Sequence, residues 1–155
     1  MKRFLKIFVV AAIAVAAAVA CVFAGCKKDN GGETKSDYNF TIVYEGGAKD
    51  GQAVNGQADG SLEGGKVATQ ICLPDGACAP LVVANIYPDA NGKLSLSQEK
   101  VNELFSTLSS VNDFKNEAGD VDRFVFHAIG VKDYKNDCEI EVNGKGDYTL
   151  KITVS

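Results

Sequence analysis

YNFTIVYE, residues Tyr38 to Glu45, is the first segment of the chain in which polar and apolar side chains trade places with a period of two. That period belongs to a β-strand, whose successive side chains leave opposite faces of a sheet. Alternation sets Tyr38, Thr41 and Val43 against Phe40, Ile42 and Tyr44, and the β-branched and aromatic content suits a pleated, half-buried surface. The same signal recurs downstream. KVATQICL (66–73) and CAPLVVANIY (78–87) read as two strands joined by Pro74, Asp75, Gly76 and Ala77, whose turn chemistry predicts a hairpin. In DANGKLSLS (89–97), Asn91 and Gly92 turn the chain into another alternating run. DRFVFHAIGV (122–131), DCEIEV (137–142) and GDYTLKITVS (146–155) close the sequence. In the first of these Phe124, Phe126 and Ala128 share one face and Val125, His127 and Ile129 the other. Asn143 to Gly146 carries the glycine of a hairpin between the last two. About seven short strands separated by turn signals predict a mainly β domain, a β-sandwich, over residues 38–155.

Two stretches interrupt the strands. Between Ser97 and Val111 the apolar positions Val101, Leu104, Phe105, Leu108 and Val111 recur at helical spacing, with Ser97 placed to cap the start. This predicts one inserted amphipathic helix over about 97–111 that packs on the domain. Between Gly46 and Gly65 the Asp-Gly and Asn-Gly steps at 50, 55 and 59 predict a long glycine-rich loop, with a short edge strand at Gln52 to Val54.

The N-terminus speaks of address. Lys2, Arg3 and Lys6 precede a 19-residue uncharged run from Ile7 to Gly25. That is the pattern of a secretory signal, although its length approaches the roughly 20 residues of a membrane span. Ala24 and Gly25 supply the small residues that a signal peptidase accommodates. Removing the leader's three cations leaves 13 basic against 20 acidic residues, a net charge near −7. No basic stripe remains to neutralise phosphates, which argues against nucleic acid as a partner. The polar run from Lys27 to Asp37 has the composition of a flexible tether.

Phe23, Ala24, Gly25 and Cys26 resemble a bacterial lipobox, with Phe23 standing where an aliphatic residue is usual. The resemblance implies cleavage after Gly25, a diacylglycerol and fatty acyl (palmitate) anchor on Cys26, and residues 26–37 as lipidated N-terminus and tether. The partner implied is the cell membrane or outer membrane, reached from outside the cytoplasm. Cys21 is an alternative site, but its following residues are still apolar. Farther on, QICLPDGACAPLVV, DANGKLSLS, FVFHAIGVKDY and DCEIEVNGKGDYTLKITV are similar to prealbumin-like, carboxypeptidase-regulatory or collagen-adhesin B-type domains of bacterial surface proteins. That resemblance implies an immunoglobulin- or prealbumin-like sandwich serving as a spacer or adhesive module of the cell envelope. It does not carry over the isopeptide cross-link of some members, because YNFTIVYE has no lysine and TLKITVS no asparagine.

The remaining cysteines are then read in an oxidising setting. Cys72 and Cys78 flank the predicted hairpin turn, where antiparallel pairing brings two Cβ atoms within disulfide reach. Cys138 is left as a buried free thiol or an intermolecular partner. The spacing of Cys72, Cys78, Cys138 and the single His127 fits no usual zinc pattern. Asp89, Asn91 and Gly92 fit a turn and not an EF-hand, which wants glycine at its sixth position and glutamate at its twelfth. His127, between Phe126 and Ala128, suits packing better than general base chemistry. No nucleophile elbow, phosphate-cradling loop or cofactor motif occurs. The expectation is a non-catalytic, cofactor-free structural or interaction module, with an unidentified protein or envelope partner. The alternative is a lipoprotein that binds a small molecule, saccharide or peptide, with Gly46 to Gly65 as a mobile lid.

Overall fold

In the computed structural model, the described residues, 37–79, 86–132 and 138–154, form six strands, one α-helix and three short 3₁₀ turns. The strands are β1 (Tyr38–Glu45), β2 (Ala68–Cys72), β3 (Lys93–Leu96), β4 (Arg123–Ile129), β5 (Cys138–Asn143) and β6 (Gly146–Thr153). They form two three-stranded sheets, β3-β1-β6 and β2-β4-β5. β1 runs antiparallel to β3 but parallel to β6, with Tyr38 beside Gly146 and Glu45 beside Thr153. The second sheet is antiparallel throughout.

One core lies between the buried faces of the sheets. Along β1 burial alternates without a break, and Tyr38, Phe40, Ile42 and Tyr44 all point inward. Tyr38 therefore belongs with Phe40 and not with Thr41 and Val43, as the strict two-residue period requires. From the opposite sheet Phe124, Phe126 and Ala128 meet them, as their shared parity predicts. The Phe40 ring stacks on Phe126 with centroids 3.9 Å apart and an 11° interplanar angle, and Tyr38 meets Phe124 edge-on at 5.2 Å. Each such ring removes 150–250 Å² from water, with offset or edge-on contacts adding about 0.5–1.5 kcal/mol.

The helix is shorter than its apolar stripe predicts. α1 spans Gln98–Phe105, capped by Ser97, whose hydroxyl accepts from the Lys100 amide at 3.1 Å. Val101 and Phe105 enter the core from it, whereas Leu108 precedes a separate 3₁₀ turn, Ser109–Phe114, that delivers Val111. The 3.6-residue spacing persists in the sequence although the backbone is interrupted at 106–108.

The Asn143–Gly146 turn is not a hairpin. β5 pairs with β4 and β6 with β1, so this turn is a corner that carries the chain from one sheet to the other. Tyr148 fastens it: its hydroxyl donates to the Gly144 carbonyl at 2.6 Å and accepts from the Asn143 amide at 3.2 Å. The hairpin expected after β2 does begin, with the Leu73 amide bonded to the Ala77 carbonyl and the Ala79 amide to Ile71. Residues 80–85, the centre of that expected strand, lie outside the described residues, as do the expected leader, Cys26 and the expected tether up to residue 36.

Candidate functional site

Three places bear on function: the disulfide turn, the glycine-rich loop and the outer face of the β3-β1-β6 sheet. Cys72 ends β2 and faces Cys78 across an isolated antiparallel bridge, and the two are joined by a disulfide. Asp75 shapes the intervening turn by accepting from the Ala77 amide at 2.9 Å, and Gly76 takes the positive φ of 91° that an L-residue resists. Cys138 is the one free cysteine among the described residues. It sits half-buried at the start of β5, against the core.

The Gly46–Gly65 loop, expected as a mobile lid, is hydrogen-bonded at many points, to itself and to its neighbours. Gln52 to Val54 lies along β1 beyond the end of β3: the Tyr44 amide donates to Gln52 and the Val54 amide to Ile42, both at 2.9 Å. Val54 is fully buried. Asp59 holds the turn together, its Oδ2 accepting from the Tyr44 hydroxyl at 2.7 Å and the Asn55 amide at 2.9 Å. Burial opposes charge on this carboxyl, but those two hydrogen bonds and the nearby Lys49 outweigh it and hold its pKa below the ordinary aspartate value. Gly56 and Gly60 have no room for a side chain, since a Cβ would run into the backbone of Pro88 and of Lys66 respectively. The glycines there serve close approach of backbone to backbone.

The outer face of the β3-β1-β6 sheet carries a shallow depression of about 370 Å³ lined by Asn39, Thr41, Lys93, Ser95, Asp147 and Thr149 above the buried Phe40. Its polar groups are set in a row across the strands. Ser95 Oγ donates to Asn39 Oδ1 at 2.8 Å, and Asn39 Nδ2 donates to Asp147 Oδ1 at 2.9 Å. The registers Asn39–Ser95 and Asn39–Asp147 place all three on one line. None of these was singled out in the sequence. The signal that finds them is the outward parity of three strands, usable only once β1 is known to lie between β3 and β6.

On the other sheet, His127 lies beside Glu139, with Nε2 and Oε2 3.5 Å apart. His127 is about one-fifth exposed and Glu139 about two-thirds exposed. Among the described residues no three His, Cys, Asp or Glu side chains gather as a metal-binding group, and no helix is long and apolar enough to cross a membrane. The Asp89 carboxylate is occupied with its own turn, accepting from the Asn91 and Lys93 amides at 2.8 and 2.9 Å.

Compared with family models, with curated proteins and with solved structures, the chain gives no match.

Proposed function

We propose that this chain is a lipid-anchored, extracytoplasmic module of the bacterial cell envelope, structural or interactive and not catalytic, whose two sheets are the halves of an immunoglobulin- or prealbumin-like sandwich. The observation that carries the reading is the Cys72–Cys78 disulfide at the tip of β2. Such bridges persist where thiols are not kept reduced, and that agrees with a leader ending in a lipobox-like FAGC. Two features support the sandwich. The first and last of the described strands pair in parallel, and a tyrosine hydroxyl closes the sheet-to-sheet corner four residues upstream, a device known from Greek-key sandwiches.

Metabolic labelling with a fatty acid tests the anchor. Label is expected on the wild-type protein and none on Cys26→Ala. An unlabelled wild type, or a labelled variant, removes the proposal.

A second reading is favoured by the depression over Asn39, Ser95 and Asp147: binding of a small polar ligand, such as a saccharide, in addition to anchoring. Its donors and acceptors are already fixed by one another, which lowers the ordering cost of binding. A saccharide screen by thermal shift separates the readings. A stabilising sugar whose effect disappears in Ser95→Ala supports the binder, and a silent screen leaves the structural module alone.

A further inference from the structure

Among the described residues, no strand pairs with the β6 edge of the β3-β1-β6 sheet. The Gly146 amide donates to Asp37 and the Val154 amide to Glu45, so the even-numbered residues of β6 turn their backbone groups toward β1. By alternation, Asp147, Thr149, Lys151 and Thr153 turn theirs away. Among the described residues β6 has no second neighbour in its sheet. The strand is eight residues long, with no proline and no bulge in its register to β1, so three of the devices that blunt an edge, short length, proline and a bulge, are absent.

We infer that β6 is a self-pairing edge, which joins two copies of this chain antiparallel about a two-fold axis through Thr149. The charges choose both partner and register. With Thr149 opposite Thr149, Asp147 of each copy lies opposite Lys151 of the other, so symmetry creates two opposite-charge pairs on the outer face. A shift of the axis to Leu150 exchanges these for Thr149–Lys151 and Asp147–Thr153 pairs. A shift to Lys151 sets two lysines against each other. Only the first register matches charge with charge. Within one chain Asp147 already accepts from Asn39, and Lys151 lies 3.2 Å from Glu45. Pairing therefore extends an existing row into Asn39–Asp147–Lys151–Glu45 across the junction, with both Asp147 and Lys151 exposed to receive it.

The other edges do not offer this. β3 has four residues, and Cys78 and Ala79 bond along β2. β5 carries exposed Glu139 and Glu141 on its outer face, and pairing about Ile140 would set these glutamates opposite each other.

The test uses the full chain in the cells that make it, on a Cys138→Ala background, with copper-phenanthroline oxidation and non-reducing gels. Thr149→Cys should give a crosslinked dimer, and Lys93→Cys, exposed on β3 at the opposite edge, should not. Adding Lys151→Asp should reduce the dimer about fivefold or more, because each of two symmetric attractions becomes a repulsion. The exchange Asp147→Lys with Lys151→Asp should restore it. If Thr149→Cys disturbs the fold, judged by protease resistance, co-expressed Asp147→Cys and Lys151→Cys chains should give the mixed dimer instead. Dimer at Thr149→Cys no greater than at Lys93→Cys, indifference to Lys151→Asp, or failure of the exchange to restore pairing would each overturn the inference.

Discussion

Tyr38 brings a hydroxyl into the core at the first position of β1, and the residues around it are chosen to receive that group. The side chain is fully buried, and its hydroxyl donates to Gln98 Oε1 at 2.9 Å, with the Val121 carbonyl at 3.3 Å. Gln98 is itself buried and turns its amide nitrogen to Val121 at 2.8 Å. Burial, helped by the charge of Asp122, pushes the Tyr38 pKa up to about 12. The folded state therefore keeps the proton after the unfolded chain has begun to lose it. Tyr38 contributes its full stability below pH 10, and that contribution declines as pH rises from about 10 to about 12. Urea titrations across this range should show wild type losing stability faster than Tyr38→Phe. At neutral pH the variant should be less stable by about 1–2 kcal/mol, because Gln98 keeps a buried acceptor without its donor. A parallel decline in both proteins would refute the assignment.

At the scale of elements, the glycine-rich loop shows how one residue type does two jobs. Gly60 is needed for space, since its Cβ would overlap the Lys66 carbonyl, while Gly64 is needed for its positive φ of 75° in an open position. Gly60→Ala should cost about 3 kcal/mol or more by forcing two backbone segments apart. Gly64→Ala should cost only about 1 kcal/mol. Equal losses in thermal melts would mean that the loop does not pack as described. The disulfide turn makes a comparable prediction. Its cysteines are six positions apart, so replacing both with alanine should lower stability by about 2 kcal/mol, the low end expected for a short loop. Much of this level was legible in the sequence. The alternation of YNFTIVYE and RFVFHAI, the Ser97 cap and the Cys72–Cys78 turn each follow from side-chain parity or local turn chemistry. What was not legible depends on partners distant in sequence. Nothing in Asn143 to Gly146 says that β5 and β6 enter different sheets, because β6 is drawn into its sheet by β1, more than 100 positions away. The helix was overdrawn for a related reason: Leu108, in extended backbone just before a 3₁₀ turn, and Val111, within that turn, reach the core without a continuous α-helix. The polar row on the outer face was hidden until the strand order placed Ser95, Asn39 and Asp147 side by side.

At the scale of the whole fold, the decisive contact is the parallel ladder between the first and last of the described strands. The chain enters at Tyr38 and leaves at Thr153, and parallel pairing places these points at opposite ends of an eight-position register. A force applied between them loads the whole β1–β6 ladder in shear, so its hydrogen bonds resist together. A force applied at Asp37 and Lys145, which lie at the same end and approach within 3.5 Å, would peel the same bonds one at a time. The proposed envelope module, tethered through its N-terminal side and pulled by whatever binds its far end, would meet force in the first geometry. Single-molecule pulling should accordingly give a clearly higher unfolding force with handles at residues 37 and 154 than at 37 and 145, at equal loading rate. Cutting the ladder's contribution by Ile152→Ala, which removes a buried side chain of β6, should lower the first force and destabilise the domain by about 2–5 kcal/mol. Forced unfolding reports the unfolding rate along the pulled direction and not equilibrium stability. Equal forces in the two geometries would therefore show that resistance lies elsewhere in the core, and that the parallel strands do not bear the load.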